Sequence, residues 1–276
     1  MDRDLSVIGP MARSAADLSL LLDVMAGPDP IDVGVGYRLA LPEARHRALT
    51  DFRVLVIDSH PLMPTNQEIR GAIEKLAGRL AKAGATVTRE SPLLPDFTES
   101  SRLYMRMLLA FLGAFFLPEV IAGAQADAAR LLPDDRSLRA ERLRGMTMSH
   151  RAWVLDDGAR ARLRAQWREL FKTFDAVICP IMPTPAYPHD HSEDQEQRRI
   201  NIDGKDYPYT DQLAWPGIAT LPGLPSTAIP LGLPKEGLPL GVQIVGPWLE
   251  DRTPLKLAAL IEREFGGFTP PPLFDD

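Results

Sequence analysis

"RVLVIDSHPLMPTNQEIRGAIEKLAGRLAKAGATVTRE", residues 53–90, decides the fold. Arg53 to Asp58 opens it with a short apolar run of the kind that makes a strand buried on both faces. Asn66 then offers a side-chain oxygen to the free amides of a helix start. Ile69, Ile73, Leu76, Leu80 and Ala83 follow at helical spacing on one face, and Gly84 closes the helix. "ATVTRE", residues 85–90, returns as a second strand. Strand, helix and strand with short links read as a right-handed crossover between parallel strands. The fold class is therefore α/β.

On its amino-terminal side lies "LSVIGPMARSAADLSLLLDVMAGPDP", residues 5–30. Ser14 followed by Asp17 resembles a capping box. Leu18, Leu21, Leu22 and Met25 lay one apolar stripe along the helix that follows, and Gly27-Pro28 is expected to stop it. On the carboxy-terminal side, residues 98–132 read as helical. The apolar run Met107 to Leu117 is too short for a bilayer, which needs about 20 residues. It fits a buried helix, a lid over an apolar substrate site, or a patch lying on a membrane surface. Residues 149–174 form another long helix, with Trp153, Leu163, Trp167, Leu170 and Phe174 in a partial stripe. "DAVICPIMPTP", residues 175–185, is a strand running into a proline-stiffened loop. Asp203-Gly204 between "RRINI" and "KDYPY" is a two-residue hairpin turn. "STAIPLGL" and "LPLGVQIVG", either side of "PKEG", should pair antiparallel. Thr253-Pro254 is expected to cap a last helix, which Gly266-Gly267 ends.

Composition bounds the partners. At 276 residues the chain can bury a substantial core, and a net charge of −6 offers no basic field for nucleic acid. One cysteine, Cys179, excludes an internal disulfide and fits a reducing compartment. No charged-then-apolar leader opens the chain, so the expected location is cytoplasmic.

Few segments carry chemistry. "HDHSED", residues 189–194, holds two histidines and three carboxylates, but no further ligand cluster accompanies them, so a solvated loop is expected and no metal. Cys179 sits inside an apolar strand, where a buried thiol is inert. "VGVG", residues 33–36, lacks the spacing and the preceding strand of a phosphate loop. Nucleophilic serine chemistry needs a base in contact with the hydroxyl and donors for the oxyanion. Lys75, Lys82, Lys172, Lys205, Lys235 and Lys256 all fall on expected helix exteriors or turns, and Ser100-Ser101, the one serine pair, has no glycine beside it. No catalytic residue is assigned.

"GPMARSAADLSLLLDVMAG", residues 9–27, together with "GLPSTAIPLGLPKEGLPLGVQIVGPWLED", residues 223–251, resembles the carboxy-terminal half of amidase signature enzymes. The resemblance runs in order through the 175–185 strand and loop. It implies an α/β/α sandwich around a mixed β-sheet, incomplete here, with residues 1–276 forming the carboxy-terminal part of one such domain. Enzymes of that family hydrolyse or transfer amides, and sometimes esters, with a serine nucleophile. A second serine on a cis peptide and a lysine relay the proton, and no cofactor is implied. The segments bearing those three residues normally precede the "GPMAR" helix and have no match in this sequence. The half present would wall a pocket for a small-molecule amide. Met182 and Thr184 in the proline loop are the expected wall, with Trp215, Ile218 and Thr220 of the "AWPGIATLPG" turn. Arg13 and Asp17 match the family's motif, and an ion pair or helix cap is their expected role. The 18–25 stripe is expected to pack on a missing amino-terminal half, or to drive self-association. The alternative is a non-catalytic partner that completes a separately encoded amino-terminal half.

Overall fold

The computed structural model describes residues 4–28, 36, 38–232 and 237–271. Most of "VGVG" and "PKEG", with Lys235, lie outside the described residues. In chain order, α1 (Ala15–Met25) precedes β1 (Arg53–Val56), α2 (Gln67–Lys82) and β2 (Thr86–Thr88). Helices α3 (Phe97–Gly113), α4 (Pro118–Ala128), α5 (Leu138–Met146) and α6 (His150–Thr173) follow. Then come β3 (Ala176–Pro180), β4 (Arg199–Ile202), β5 (Lys205–Pro208) and α7 (Ala214–Thr220). Strands β6 (Ser226–Pro230) and β7 (Gly241–Val245) and helix α8 (Arg252–Phe265) close the chain.

The crossover forms as its sequence requires. Asn66 Oδ1 accepts the Glu68 amide at the start of α2, and Gly84, at φ +93°, ends it. Strands β1 and β2 pair parallel with Arg53 opposite Thr86. On its other edge β1 pairs parallel with β3, which pairs antiparallel with β7, and β7 with β6. The order β2-β1-β3-β7-β6 is thus a mixed sheet, with β6 as one edge. Alternate strand residues point to opposite faces and define two cores. Val54, Val56, Ile178, Val242 and Ile244 meet α2 and α8 on one face. Leu55, Val177, Cys179 and Val245 meet α3, α6 and α7 on the other. Helices on both faces of a mixed sheet make the expected α/β/α sandwich. The small β4–β5 hairpin stands apart, and Asp203 and Gly204 both adopt the positive φ, 51° and 86°, that its two-residue turn needs.

Four expectations need correction. The 18–25 stripe finds a partner within this chain: α1 lies along α8, with the Ala15 amide donating to Glu262 at 2.8 Å and Arg252 paired to Asp23 at 2.7 Å. Leu18, Leu21 and Leu22 are half-buried, whereas Leu20, Val24 and Met25 are exposed. That helix stops at a capping Ala26 of extended backbone, one residue before Gly27, with no left-handed cap. The 98–132 helix breaks at 114–117. Met105 and Met107 are fully buried, but Phe115 and Leu117 at the elbow are exposed. The last helix begins at Arg252, so Thr253 and Pro254 occupy its first turn instead of capping it, where Pro254 forfeits no intrahelical bond.

Two interior features carry the packing. Asp175, just before β3, is buried and accepts from the Arg53 amide at 2.9 Å, Arg53 Nη2 at 2.8 Å and Arg45 Nη1 at 3.4 Å. It pins the start of β3 to the start of β1. Helices α3 and α5 approach so closely that a Cβ on Gly145 would stand 2.3 Å from the Arg106 carbonyl oxygen, a contact no side-chain rotation relieves. Gly145→Ala should therefore destabilise the protein by about 1–3 kcal/mol despite alanine's better helix propensity. A fall in the urea midpoint at constant slope checks this, and an unchanged or raised midpoint contradicts it.

Candidate functional site

Open α/β sheets bind ligands beyond the carboxyl ends of their parallel strands. Here those ends belong to β1 and β3, and three segments gather over them: residues 57–66, the proline loop from residue 181, and α7. The Asn66 amide donates to the Pro183 carbonyl at 2.8 Å and joins the first two. The indole N–H of Trp215 donates to the Met63 carbonyl at 3.1 Å and joins α7 to the first. Trp215 and Ile218 are buried in the core beneath these loops, and Met182 and Thr220 are half-buried. Thr184 is buried, with its hydroxyl donating to the Pro185 carbonyl at 2.7 Å. It lines an open cleft of ≈ 750 Å³ together with Tyr187, His189, Arg199, Asn201 and Asp206. The five expected wall residues are therefore neighbours through their loops, but only Thr184 lines this cleft. The "AWPGIATLPG" stretch is a short helix, with Pro216 tolerated in its first turn.

One residue that holds these segments together gave no motif. Gln243 on β7 is buried, and its amide bonds to the Pro180 carbonyl and the Ser226 hydroxyl. The only signal was a single polar residue inside the apolar strand "GVQIV". Beside it Cys179 is wholly buried, and burial pushes its thiol up to about 12 against a weaker opposing hydrogen bond from Gln243. That thiol stays protonated and unreactive at neutral pH.

A second buried cluster pairs a histidine with a serine. His60 Nε2 lies 3.1 Å from Ser101 Oγ, and His60 Nδ1 accepts the Leu62 amide at 3.1 Å. An accepting Nδ1 places the neutral ring's proton on Nε2, so His60 donates to Ser101 and cannot take its proton. Phe97 stacks on the ring at 5.6 Å and Trp215 lies tilted at 5.4 Å. Burial among them lowers the imidazole pKa to about 4. The unfolded chain then binds a proton that the native chain refuses between pH 6.5 and about 4, so stability falls as pH drops through that window. At full extent the loss is about 3 kcal/mol. Unfolding curves at pH 7 and pH 4.5 should show it, and His60→Gln should shrink the difference. Equal pH dependence in the two proteins would remove His60 as the cause.

The remaining candidates are on the surface. His189 and His191 are exposed with ring centroids 5.8 Å apart, and the described residues contain no group of three or more metal-ligating side chains. Lys75, Lys82, Lys172 and Lys205 are exposed and Lys256 half-buried. The Asp17 amide donates to Ser14 Oγ at 3.1 Å, which caps the helix, and the Ser14 hydroxyl donates to the Asp17 carboxylate at 2.7 Å, a side-chain bond in place of the reciprocal backbone bond of a capping box. Exposed Arg13 sits over the Phe268 ring at 5.2 Å. No described helix is long and apolar enough to cross a membrane.

Comparison with known proteins places this architecture. The profile of the family described as Amidase matches residues 1–255. A glutamyl-tRNA(Gln) amidotransferase subunit of Thermus thermophilus is 30% identical over an alignment covering 94% of this chain and 55% of that protein. An indoleacetamide hydrolase of Bradyrhizobium japonicum is 23% identical, with 95% of this chain and 52% of the relative covered. Among solved structures, a bacterial aryl acylamidase of the amidase signature family superposes with a TM-score of 0.65 at 21% identity, covering 94% of this chain and 53% of the other. The chain thus spans about half the length of the relatives it matches. Together with the α/β/α sandwich, these matches show that the chain belongs to the amidase signature family of hydrolases.

Proposed function

We propose that this chain is the carboxy-terminal half of a carboxylic amide hydrolase, which walls the substrate pocket while an amino-terminal half delivers the nucleophilic serine, its partner serine and the lysine. The carrying observation is the pairing of a family match over residues 1–255 with coverage of only 55% of the amidotransferase subunit. The chemistry of the described residues supports it. Ser101 is bound to a histidine that donates to it, and the described lysines sit where an ordinary ammonium is a poor base. Thr184 and the proline loop, with α7 behind them, form the wall. Supplying the amino-terminal half of a relative and assaying aliphatic and aryl amides tests the reading. A folded, soluble fusion with its serines and lysine intact that hydrolyses no amide or ester would overturn it.

A second reading, a non-catalytic partner of a separately encoded half, draws on one surface. Val7, Ile8, Met11, Leu20, Val24 and Met25 are all exposed near the start of the chain. Segment 9–12 and α1 share a groove with β6, an edge strand of the sheet among the described residues. An open strand edge flanked by apolar side chains invites a further chain. Both readings place the other half there, and only the first expects turnover.

A further inference from the structure

Resting on the reading that residues 181–188 wall an amide pocket with α7 behind them, we propose that Gln243 is a positioning residue that fixes the spacing between this loop wall and the helix that backs it. Its side chain lies on the sheet face shared with Cys179 and Val245, where alternation calls for an apolar residue. Nε2 donates to the Pro180 carbonyl at 2.8 Å and reaches the Trp215 carbonyl at 3.4 Å, while Oε1 accepts the Ser226 hydroxyl at 2.9 Å. Carbonyls only accept, so the amide can sit only this way round, with the hydroxyl proton directed to Oε1. Its three partners are the last residue of β3, the first turn of α7 and the first residue of β6. One planar group thereby joins the root of the proline loop to the root of α7. Trp215 is held a second time through its indole, so the first turn of α7 is fixed between β7 and the 57–66 loop. These bonds are directional and end on backbone carbonyls at element ends. Losing them shifts the loop wall and α7 relative to one another while the hydrophobic faces of β7, built on Val242 and Ile244, stay packed.

Hydrogen–deuterium exchange on the purified chain tests this without any need for activity. In Gln243→Leu, amides within 181–188 and 214–220 should exchange roughly tenfold faster, while the 199–208 hairpin and α2 keep their rates. In Gln243→Glu, an ionised carboxylate cannot donate to Pro180, whereas the protonated acid can. Slow exchange relative to wild type should return as the pH is lowered through the titration of the introduced acid, and this variant serves if the leucine variant fails to fold. Unchanged exchange in both segments, or acceleration spread evenly over the hairpin and α2, would overturn the proposal. In a chain with restored hydrolysis, the leucine variant should raise KM about tenfold with kcat held within about threefold. The reverse split would also overturn it. A wild-type fusion without turnover counts against the amidase reading alone and leaves the exchange result to decide on Gln243.

Discussion

Fused to the amino-terminal half of an amidase signature relative, this chain should hydrolyse small amides on the order of a millionfold or more above background, whereas the isolated chain should show no serine-dependent turnover. A nucleophile with its base and oxyanion donors accounts for most of such an enhancement, so a chain that has to receive them from another half should lose nearly all of it when alone. Fusion should succeed where mixing struggles, because association in trans has to offset about 4–15 kcal/mol of lost freedom before any contact counts. Contact surface is present in α1 and residues 7–11, whose burial yields roughly 25 cal/mol per Å² of apolar area. Val24 separates this interface from ordinary stability, since its side chain is 75% exposed. Val24→Asp should leave the isolated chain within about 0.5 kcal/mol of wild type. In the two-part enzyme it would bury an unpaired carboxylate and weaken assembly severely. Light scattering should also find the isolated chain associated through this face and the fusion free of that association. A clean monomer that binds no apolar dye, together with full activity of a Val24→Asp complex, would move the interface elsewhere.

Asp175→Ala should cost about 1–3 kcal/mol, the range for leaving a buried hydrogen-bonding group unpaired, because the Arg53 side chain is 45% exposed and reaches water once its partner is gone. The deletion leaves the guanidinium of Arg53 and the Arg53 amide facing an empty site, with Arg45 losing one of its two carboxylates. Burial by itself would raise the Asp175 pKa, but hydrogen bonds from the Arg53 side chain and backbone, with the Arg53 charge, pull it down to about 2. A carboxyl with a depressed native pKa stabilises fully above its unfolded value near 4 and loses that contribution as pH falls towards 2. Asp175→Asn should therefore be milder at pH 7 and should flatten the stability profile in that acid window. Thermal or urea unfolding across pH 2–7 checks both. An alanine variant within 1 kcal/mol of wild type would mean that the Arg53 amide finds water as well.

What could be read from residues alone follows the physics of each element. The β1–α2–β2 unit, α6 and the 203–204 turn were legible because each has a strong local signature: an apolar period, an asparagine cap, or a turn needing two left-handed residues. Helix α5 was not. Its buried face includes Glu141 and Arg142, kept inside by ion pairs to Arg106 and Asp211 from other elements, so no apolar period appears in "LRAERLRGM". Helix α7 was hidden by Pro216 and two glycines, Gly217 and Gly223, that read as a turn. Gly217 is required there because a Cβ would come within 2.5 Å of the buried Tyr104 ring. The position of the proline loop was legible from its composition. That Trp215 anchors the wall from the interior, and that Gln243 ties it to the sheet, depend on partners 152 and 63 residues away, which local spacing cannot reveal.

The strand order also governs the sequence of events as the chain leaves the ribosome. β7 lies between β3 and β6, yet it is the last of the described strands to be synthesised. Until residue 245 has emerged, β3 presents a bare edge and β6 has no neighbour, so the rest of the sheet must wait, partly exposed, for its closing strand. Nascent chains of this protein would thus depend on holding factors late in translation. A stop codon between residues 231 and 240 would strand β6 from the rest of the sheet instead of trimming its end.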